Sequence, residues 1–208
     1  MNIVLPPLKI VHWPHPSLRH KAVPLTEITP RVVRIAEEML ELMHEAKGLG
    51  LAAPQVGLPF QMFVADYAGD APGEQVPHVF INPQIDDRRG SVEGEEGCLS
   101  FPGLYQKVRR AKTILGRAYD LKGRLVEVEL SMLAARLWQH ETDHLHGDLF
   151  IDRMTTTGVL GSREAIAEFE RDYKKAQQRG EIPPDAEIEK RLTELEGWRD
   201  PGPPPPAL

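Results

Sequence analysis

The sequence has little cysteine, no long apolar run and no excess of positive charge. Cys98 is the single cysteine, so no disulfide can form within the chain, which favours a reducing compartment. The formal net charge of -6 argues against a general nucleic-acid binder. No apolar run reaches the length of a membrane span, and the first residues lack the basic segment of a secretory signal. These absences predict a cytoplasmic protein that contacts neither nucleic acid nor membrane directly.

One stretch, residues 139–147, contains the pattern H-E-x-x-H. Ser131 is a suitable N-cap and Gly147 a suitable C-terminal stop, so a helix over about residues 131–146 is predicted. In that helix His140 and His144 lie about 40° apart on one face, and both imidazoles can reach one metal ion. Glu141 flanks the pair, as a general base acting on a bound water would.

A solvated amphipathic helix with incidental histidines is the alternative interpretation of this stretch. Two histidines are also an incomplete catalytic site, since such a site needs a third protein ligand. The lone thiol of Cys98 is a candidate ligand or nucleophile, and equally a candidate buried apolar residue. From the helix alone, these alternatives stay open.

A glycine-rich segment, residues 48–55, resembles the dinucleotide fingerprint G-x-G-x-x-A. That fingerprint needs a strand before it and a helix after it, whereas here a helix precedes and Pro54 and Gly57 discourage a helix following. Such a segment allows the backbone to approach a ligand closely, with the Gln55 amide as donor or acceptor. A helix-to-strand turn without function is the alternative.

The remaining patterns predict an α+β fold, with short, mostly antiparallel strands around one central metal-bearing helix and a C-terminal helical tail. Thr29 and Pro30 begin a first helix that ends at Gly48. Strands are expected at residues 3–11, 60–66 and 78–85, with a hairpin formed by 112–120 and 124–130.

The character of the chain changes after Met154. Gly158, Gly161 and Ser162 are expected to break the chain, with helices following at residues 163–178 and 186–196 and a low-complexity end at Pro203–Pro206. We therefore predict a catalytic domain at residues 1–157 and a charged, helical and proline-rich extension at residues 158–208.

Three stretches together closely resemble peptide deformylase. The family motifs G-x-G-x-A-A-x-Q, E-G-C-L-S and Q-H-E-x-D-H-L-x-G occur complete and in order at residues 48–55, 96–100 and 139–147. The general similarity of layout runs from about residue 3 to residue 155. The resemblance implies a metal-dependent hydrolase of protein biosynthesis that removes the N-formyl group from the initiator N-formylmethionine of new polypeptides and releases formate.

The resemblance also implies the ligand set and the metal. Cys98 becomes the third ligand beside His140 and His144, and a fourth position is left for water. A thiolate with two neutral imidazoles leaves the site of a divalent ion with net positive charge, which lowers the pKa of that water. The Cys-His-His set alone suggests zinc. The family often works with ferrous iron in the cell and tolerates nickel or cobalt, so Fe²⁺ is expected there.

Roles for individual residues follow from the same resemblance. Glu141 moves the proton from water to the leaving amine, while the Gln55 side chain and the Leu99 backbone N–H hold the oxyanion. Leu49, Leu133 and Leu137 are expected to line the methionine pocket. The peptide is expected to bind as an added strand to backbone groups of Leu49, Gly50 and Gly97. Arg136, about 40° from His140 on the helical wheel, should border the site and either meet the substrate's carbonyls or be solvated.

Two features stand apart from the core motifs. Many bacterial relatives carry arginine seven residues after the ligand cysteine, where this chain has Tyr105, so a substrate contact made by that arginine is in doubt. In some bacteria the family's C-terminal helix docks near the ribosomal exit, which makes the ribosome a candidate partner of the tail. A solvated, stabilising helix is the alternative.

Two rival hypotheses belong to other classes. A zincin-type metalloprotease shares H-E-x-x-H, but its third ligand usually lies downstream, and the glycine-rich and cysteine motifs would then have no explanation. A noncatalytic, metal-stabilised binding module would need neither Glu141 nor Gln55 to hold its metal.

Overall fold

The computed structural model describes residues 7–68 and 75–197. Within these ranges the helices are α1 (Pro30–Glu45), α2 (Met132–His146), α3 (Thr156–Gln178) and α4 (Asp185–Glu196). The strands are β1 (Gly50–Ala52), β2 (Met62–Ala68), β3 (Gln75–Arg89), β4 (Val92–Cys98), β5 (Phe101–Arg110), β6 (Thr113–Tyr119) and β7 (Leu125–Ser131). All ladders between these strands are antiparallel. The predicted α+β class is confirmed.

A five-stranded sheet of order β1-β2-β3-β6-β7 is buried by a helix on each face. Met62 and Val64 pack with α1, whereas Phe63 and Ala65 point to the other face and pack with Trp138 of α2. This alternation follows from the two-residue period of a strand. A separate two-stranded hairpin, β4–β5, lies beside α2 and carries Cys98 at the end of β4.

The first helix forms as its sequence predicts. Thr29 Oγ1 accepts a hydrogen bond from Val32 N at 3.4 Å, and Pro30 occupies the first helical position, where its missing N–H costs nothing. The buried side chains recur at helical spacing. They are Val32, Ile35, Ala36, Met39 and Met43.

The central helix α2 ends as predicted at Gly147, whose φ of 78° suits glycine. Ser131 occupies the N-cap position, but its side chain makes no capping hydrogen bond. Met132 instead adopts a φ of 53°, and its N–H donates to Lys112 O at 2.8 Å. The start of α2 is therefore fixed by the chain that precedes β6.

The strands expected at residues 60–66 and 78–85 and the hairpin of 112–120 and 124–130 are found, but the first predicted strand is wrong and three strands were missed. Residues 7–11 form no strand, because their backbone makes single bonds such as Val11 N to Gln55 O at 2.8 Å and no ladder; residues 3–6 lie outside the described ranges. Strands β1, β4 and β5 were not anticipated, since glycine and charge hide their apolar alternation. The predicted low-complexity end at Pro203–Pro206 also falls outside those ranges.

The predicted break at residues 158–162 is wrong. Thr155 Oγ1 accepts from Gly158 N at 3.1 Å, so α3 begins at Thr156 and runs through both glycines. A Cβ on Gly158 would lie 3.1 Å from Gln106 Oε1, so the glycine lets α3 approach β5 closely.

Both tail helices pack on the rest of the chain. Phe169 of α3 meets Phe101 edge-to-face at 5.8 Å between ring centroids. Leu195 of α4 is 1% exposed and belongs to the same apolar cluster as Leu8 and Leu58.

The predicted domain boundary between residues 157 and 158 falls inside α3 and remains a proposal. Within residues 7–68 and 75–197, no helix combines the length and apolar character needed to cross a membrane.

Candidate metal centre and active site

Cys98, His140 and His144 meet at one point between α2 and the β4–β5 hairpin. Their three donor atoms all lie within 4.8 Å of one another, and Cys98 Sγ is 3.4 Å from His144 Nε2. The two histidines stand one helical turn apart, with ring centroids separated by 5.0 Å. A thiolate and two imidazoles are ligands typical of a transition-metal site with an open fourth position.

A bulge in the hairpin directs Cys98 toward α2. Gly97 pairs with Tyr105, but the next residue, Cys98, pairs with Phe101, so the register shifts between them. The extra residues on β5, 102–104, include Gly103 with a φ of 78°. Bulges of this kind re-aim a side chain beside an active site.

Glu96 orients the first histidine. Its Oε2 lies 3.1 Å from His140 Nδ1, and its two oxygens accept from Arg110 Nε and Nη2 at 2.8 and 2.9 Å. Burial opposes ionisation of this carboxyl, but the bonds from Arg110 and His140 outweigh it and hold the pKa of Glu96 well below its ordinary value. A permanent carboxylate fixes Nδ1 of His140 as the donor and leaves Nε2 for a metal.

The two histidines of the cluster differ in pKa. Burial lowers the pKa of His140, but the adjacent Cys98 sulfur and Glu96 raise it to about 10. Burial and the neighbouring charge of His140 lower the pKa of His144 well below 6.5. A ligand imidazole must be neutral at the coordinating nitrogen, so metal binding would release a proton from His140.

Glu141 lies beside the three donors and is almost completely buried. It is 2% exposed, and its Oε2 has no hydrogen-bond partner among the described residues. Burial raises the pKa of Glu141 to about 7. A carboxyl with that pKa both accepts and donates protons readily near neutral pH.

The Gln55 amide approaches the donor cluster from the opposite wall. Its Oε1 accepts from Ala52 N at 2.8 Å, and its Nε2 faces Cys98 Sγ at 3.4 Å and Ser100 Oγ at 3.3 Å. Gln55 lies in a short 3-10 turn, Ala53–Val56, directly after β1. The glycine-rich segment therefore ends in a buried amide pointing at the cluster.

An open cleft of about 540 Å³ leads to these groups. Every predicted site residue except His144 lines it, and His144 lies behind its surface. Leu49 and Leu133 form the rim, with 39% and 62% of their surface exposed. A Cβ on Gly50 would lie 2.7 Å from Leu137 Cδ1, so any larger residue would have to displace that side chain, and glycine lets β1 pass close to α2.

Comparison with known proteins agrees with this geometry. The polypeptide deformylase family model matches residues 7–159. The chain belongs to the peptide deformylase family.

Individual peptide deformylases are similar over most of their length. The protein of Rhodopirellula baltica is 42% identical over 190 residues, covering 91% of this chain and 94% of its own. That of Thermus thermophilus is 46% identical over 167 residues, covering 75% and 84%. The crystal structure of a plant peptide deformylase, PDF1B, superposes with a TM-score of 0.78 at 40% identity, covering 83% of this chain and 94% of that one.

Arg136 is not solvated, so that sequence-based expectation is wrong. It is 8% exposed, and its guanidinium donates to Glu96 Oε1 at 2.6 Å and Val108 O at 2.9 Å. Both terminal nitrogens of Arg136 are thus bonded inside the protein, although the residue still lines the cleft. Tyr105, in contrast, is 61% exposed, and its ring lies against the backbone of Gly97.

Sequence patterns assigned no role to three polar residues that surround the donor cluster. Glu96 and Arg110 are fourteen positions apart and meet only because β4 and β5 pair. Asp143 of α2 forms ion pairs with both Arg110 and Arg153, so it links Arg110 to α2. Glu96 and Asp143 stand inside two of the family motifs, but the motifs by themselves do not show what these carboxylates contact, and Arg110 lies outside all three.

Proposed function

We propose that Glu141 and Gln55 carry out deformylation at a metal ion held by Cys98, His140 and His144. The family is metal-dependent and removes the N-formyl group from N-formylmethionine at the start of new polypeptides. The observation that carries the assignment of roles is the convergence of a buried carboxyl and a buried amide on one cluster of three donors.

The donor set fits a divalent ion. Cys98 is the chain's only thiol, and Glu96 is already bonded to His140 Nδ1, which leaves Nε2 of His140 for the ion. An ion held there would polarise the formyl oxygen and lower the pKa of a coordinated water.

Glu141 is the proposed proton carrier. In this role its carboxylate accepts a proton from the attacking water and returns it to the leaving amine nitrogen. Its burial and its pKa of about 7 support the assignment, because both forms of the carboxyl are accessible near neutral pH. Its Oε2, which no group of residues 7–68 or 75–197 hydrogen-bonds, can accept a new hydrogen bond.

Gln55 and the backbone N–H of Leu99 are the proposed oxyanion donors. Because Ala52 N occupies Gln55 Oε1, the amide presents its N–H groups, and not its oxygen, to the reaction centre. Donors already held in position need no rearrangement as negative charge develops on the formyl oxygen.

The cleft wall is the proposed site for the methionine side chain and the peptide. Leu49, Leu133 and Leu137 supply apolar surface, while the backbones of Gly50 and Gly97 can pair with an extended peptide. Arg136 would contribute its aliphatic stem, since its guanidinium is bonded to Glu96 and Val108.

Ferrous iron is the proposed metal in the cell, with Zn²⁺, Ni²⁺ or Co²⁺ as alternatives in purified protein. A ferrous ion and a thiolate are both oxidisable, so the iron form should lose activity in air with peroxide while the nickel form keeps it. Equal survival of the two forms would argue against iron.

The cellular setting is also a proposal. We propose a cytoplasmic enzyme whose C-terminal extension, residues 158–208, contacts the ribosome near the exit tunnel. Several basic side chains of the tail are paired with acids, as in Arg171–Glu164 and Arg179–Glu181, so such docking would have to compete with internal pairs. Co-sedimentation with ribosomes at rising salt tests it.

Formate release from a formyl-Met peptide by the Fe(II) and Ni(II) forms tests the function. We expect release with both metals and none from the acetyl-Met peptide. Cleavage of internal peptide bonds without formate would instead favour the metalloprotease hypothesis. Stoichiometric metal with no hydrolysis of either kind would favour the binding module.

A further inference from the structure

Ser100 is completely buried directly behind Gln55. Its relative exposure is 0%, and its Oγ lies 3.3 Å from Gln55 Nε2. Ser100 does not line the cleft and touches none of the proposed ligands by hydrogen bond in the described structure. Ser100 therefore cannot contact a substrate bound in the cleft.

The hydrogen bonds around Gln55 fix which way its amide faces. Ala52 N is a donor, so the atom it meets must be Oε1, and Nε2 is then the atom that faces Ser100. Since Nε2 is a donor, the Ser100 hydroxyl must accept. One N–H group donates to Ser100, and the other can donate to Cys98 Sγ, which lies 3.4 Å from Nε2 at the reaction centre.

The backbones of Gln55 and Ser100 are held by one neighbouring segment. Val11 N donates to Gln55 O at 2.8 Å, and Trp13 N donates to Ser100 O at 3.1 Å. Ser17 Oγ donates to Pro54 O at 2.7 Å. The distance between the amide and the hydroxyl is thus set by fixed backbone on both sides.

We propose that Ser100 is a positioning residue for deformylation, whose hydroxyl holds one N–H of Gln55 and so aims the other at the formyl oxygen. This rests on the proposed oxyanion role of Gln55. Without the Ser100 hydroxyl, the amide keeps its contacts with Ala52 N and Cys98 Sγ but loses one of the two acceptors of Nε2, so the donor is present but less well aimed.

Ser100→Ala should lower kcat about 3- to 10-fold, the usual worth of one neutral hydrogen bond. KM for the formyl-Met peptide and nickel content should stay unchanged, because neither the cleft wall nor the ligands are altered. Ser162→Ala is the matched control. Its hydroxyl is also buried but has no hydrogen-bond partner among the described residues, and its loss should leave kcat unchanged.

The decisive measurement is the double variant. In a Gln55→Ala background, Ser100→Ala should cause no further loss of kcat, because its effect acts through the amide. An equal loss in both backgrounds, or no loss in either, overturns the proposal. Full activity of Gln55→Ala by itself would instead overturn the oxyanion assignment on which the proposal rests.

Two further variants keep the proposal testable if Ser100→Ala does not fold. Ser100→Thr and Ser100→Val have nearly the same volume and differ in the hydroxyl. We expect Thr to exceed Val in kcat by about 3- to 10-fold at equal metal content. Equal kcat in the two variants overturns the proposal.

Discussion

Glu96 Oε2 lies 3.1 Å from His140 Nδ1, while Arg110 and Arg136 donate to the same carboxylate. The carboxylate thus holds the ring of one proposed ligand and is itself held by two cations. Replacing Glu96 by glutamine keeps its size but removes the charge that favours the imidazole's correct tautomer.

We expect Glu96→Gln to weaken metal affinity by about 10- to 100-fold, the usual effect of losing the carboxylate behind a ligand histidine. Competition with a chelator measures it. Glu93→Gln, an exposed carboxylate on the same strand, is the control and should bind metal like the parent. Unchanged affinity in Glu96→Gln would show that His140 needs no orienting partner.

Glu141→Ala should keep its metal and lose about 10²–10⁴ in turnover, the usual worth of a positioned acid-base group. Cys98→Ala should lose metal and activity together. The measurement is metal stoichiometry alongside kcat/KM in each purified variant. A Glu141→Ala protein that works at near the parent rate contradicts the proposed mechanism.

The rate should fall as the pH falls through the pKa of Glu141. Because burial raises that pKa to about 7, and a bound cation would lower it, the acid limb of kcat/KM should have its midpoint at or below pH 7. Measuring kcat/KM from pH 5 to pH 9, about two units on either side of that pKa, tests this. A rate that rises steadily toward pH 5 would exclude Glu141 as the base.

Leu195→Ala tests how much the packing of α4 on the rest of the chain contributes to the free energy of unfolding. Leu195 is 1% exposed within the main apolar cluster, so truncation should lower the free energy of unfolding by about 2–4 kcal/mol. Leu160→Ala is the matched control, since Leu160 is 56% exposed and should change stability by less than about 0.5 kcal/mol. Urea denaturation compares them, and equal small effects would show that α4 is only loosely attached.

His15 should make stability depend on pH. Burial lowers its pKa to about 4, so between that value and 6.5 the unfolded chain binds a proton that the folded chain does not. The stability that His15 contributes is therefore complete above pH 6.5 and lost as the pH falls toward 4.

His15→Asn should flatten this dependence. We expect the parent to lose about 1–2 kcal/mol more than the variant between pH 6.5 and pH 4, after allowing for partial exposure. Other titrating groups act in both proteins and cancel in the comparison. Parallel stability curves would mean that His15 is not buried as described.

The sequence by itself determined the features that depend on local spacing. His140 and His144 share a face because four residues span one helical turn, and Thr29 with Pro30 begins α1 for reasons of local hydrogen bonding. The same holds for the stop at Gly147. The three motifs were short and complete, so they also carried the family resemblance.

Only the tertiary structure decided which distant groups meet. Pairing of β4 with β5 brings Arg110 to Glu96, and the bulge after Gly97 turns Cys98 toward α2. The helical character of residues 156–162 likewise depends on α3 packing against β5, which overrides the two glycines. Such contacts join residues far apart in sequence, and their free energy comes from burial and charge pairing that no local pattern encodes.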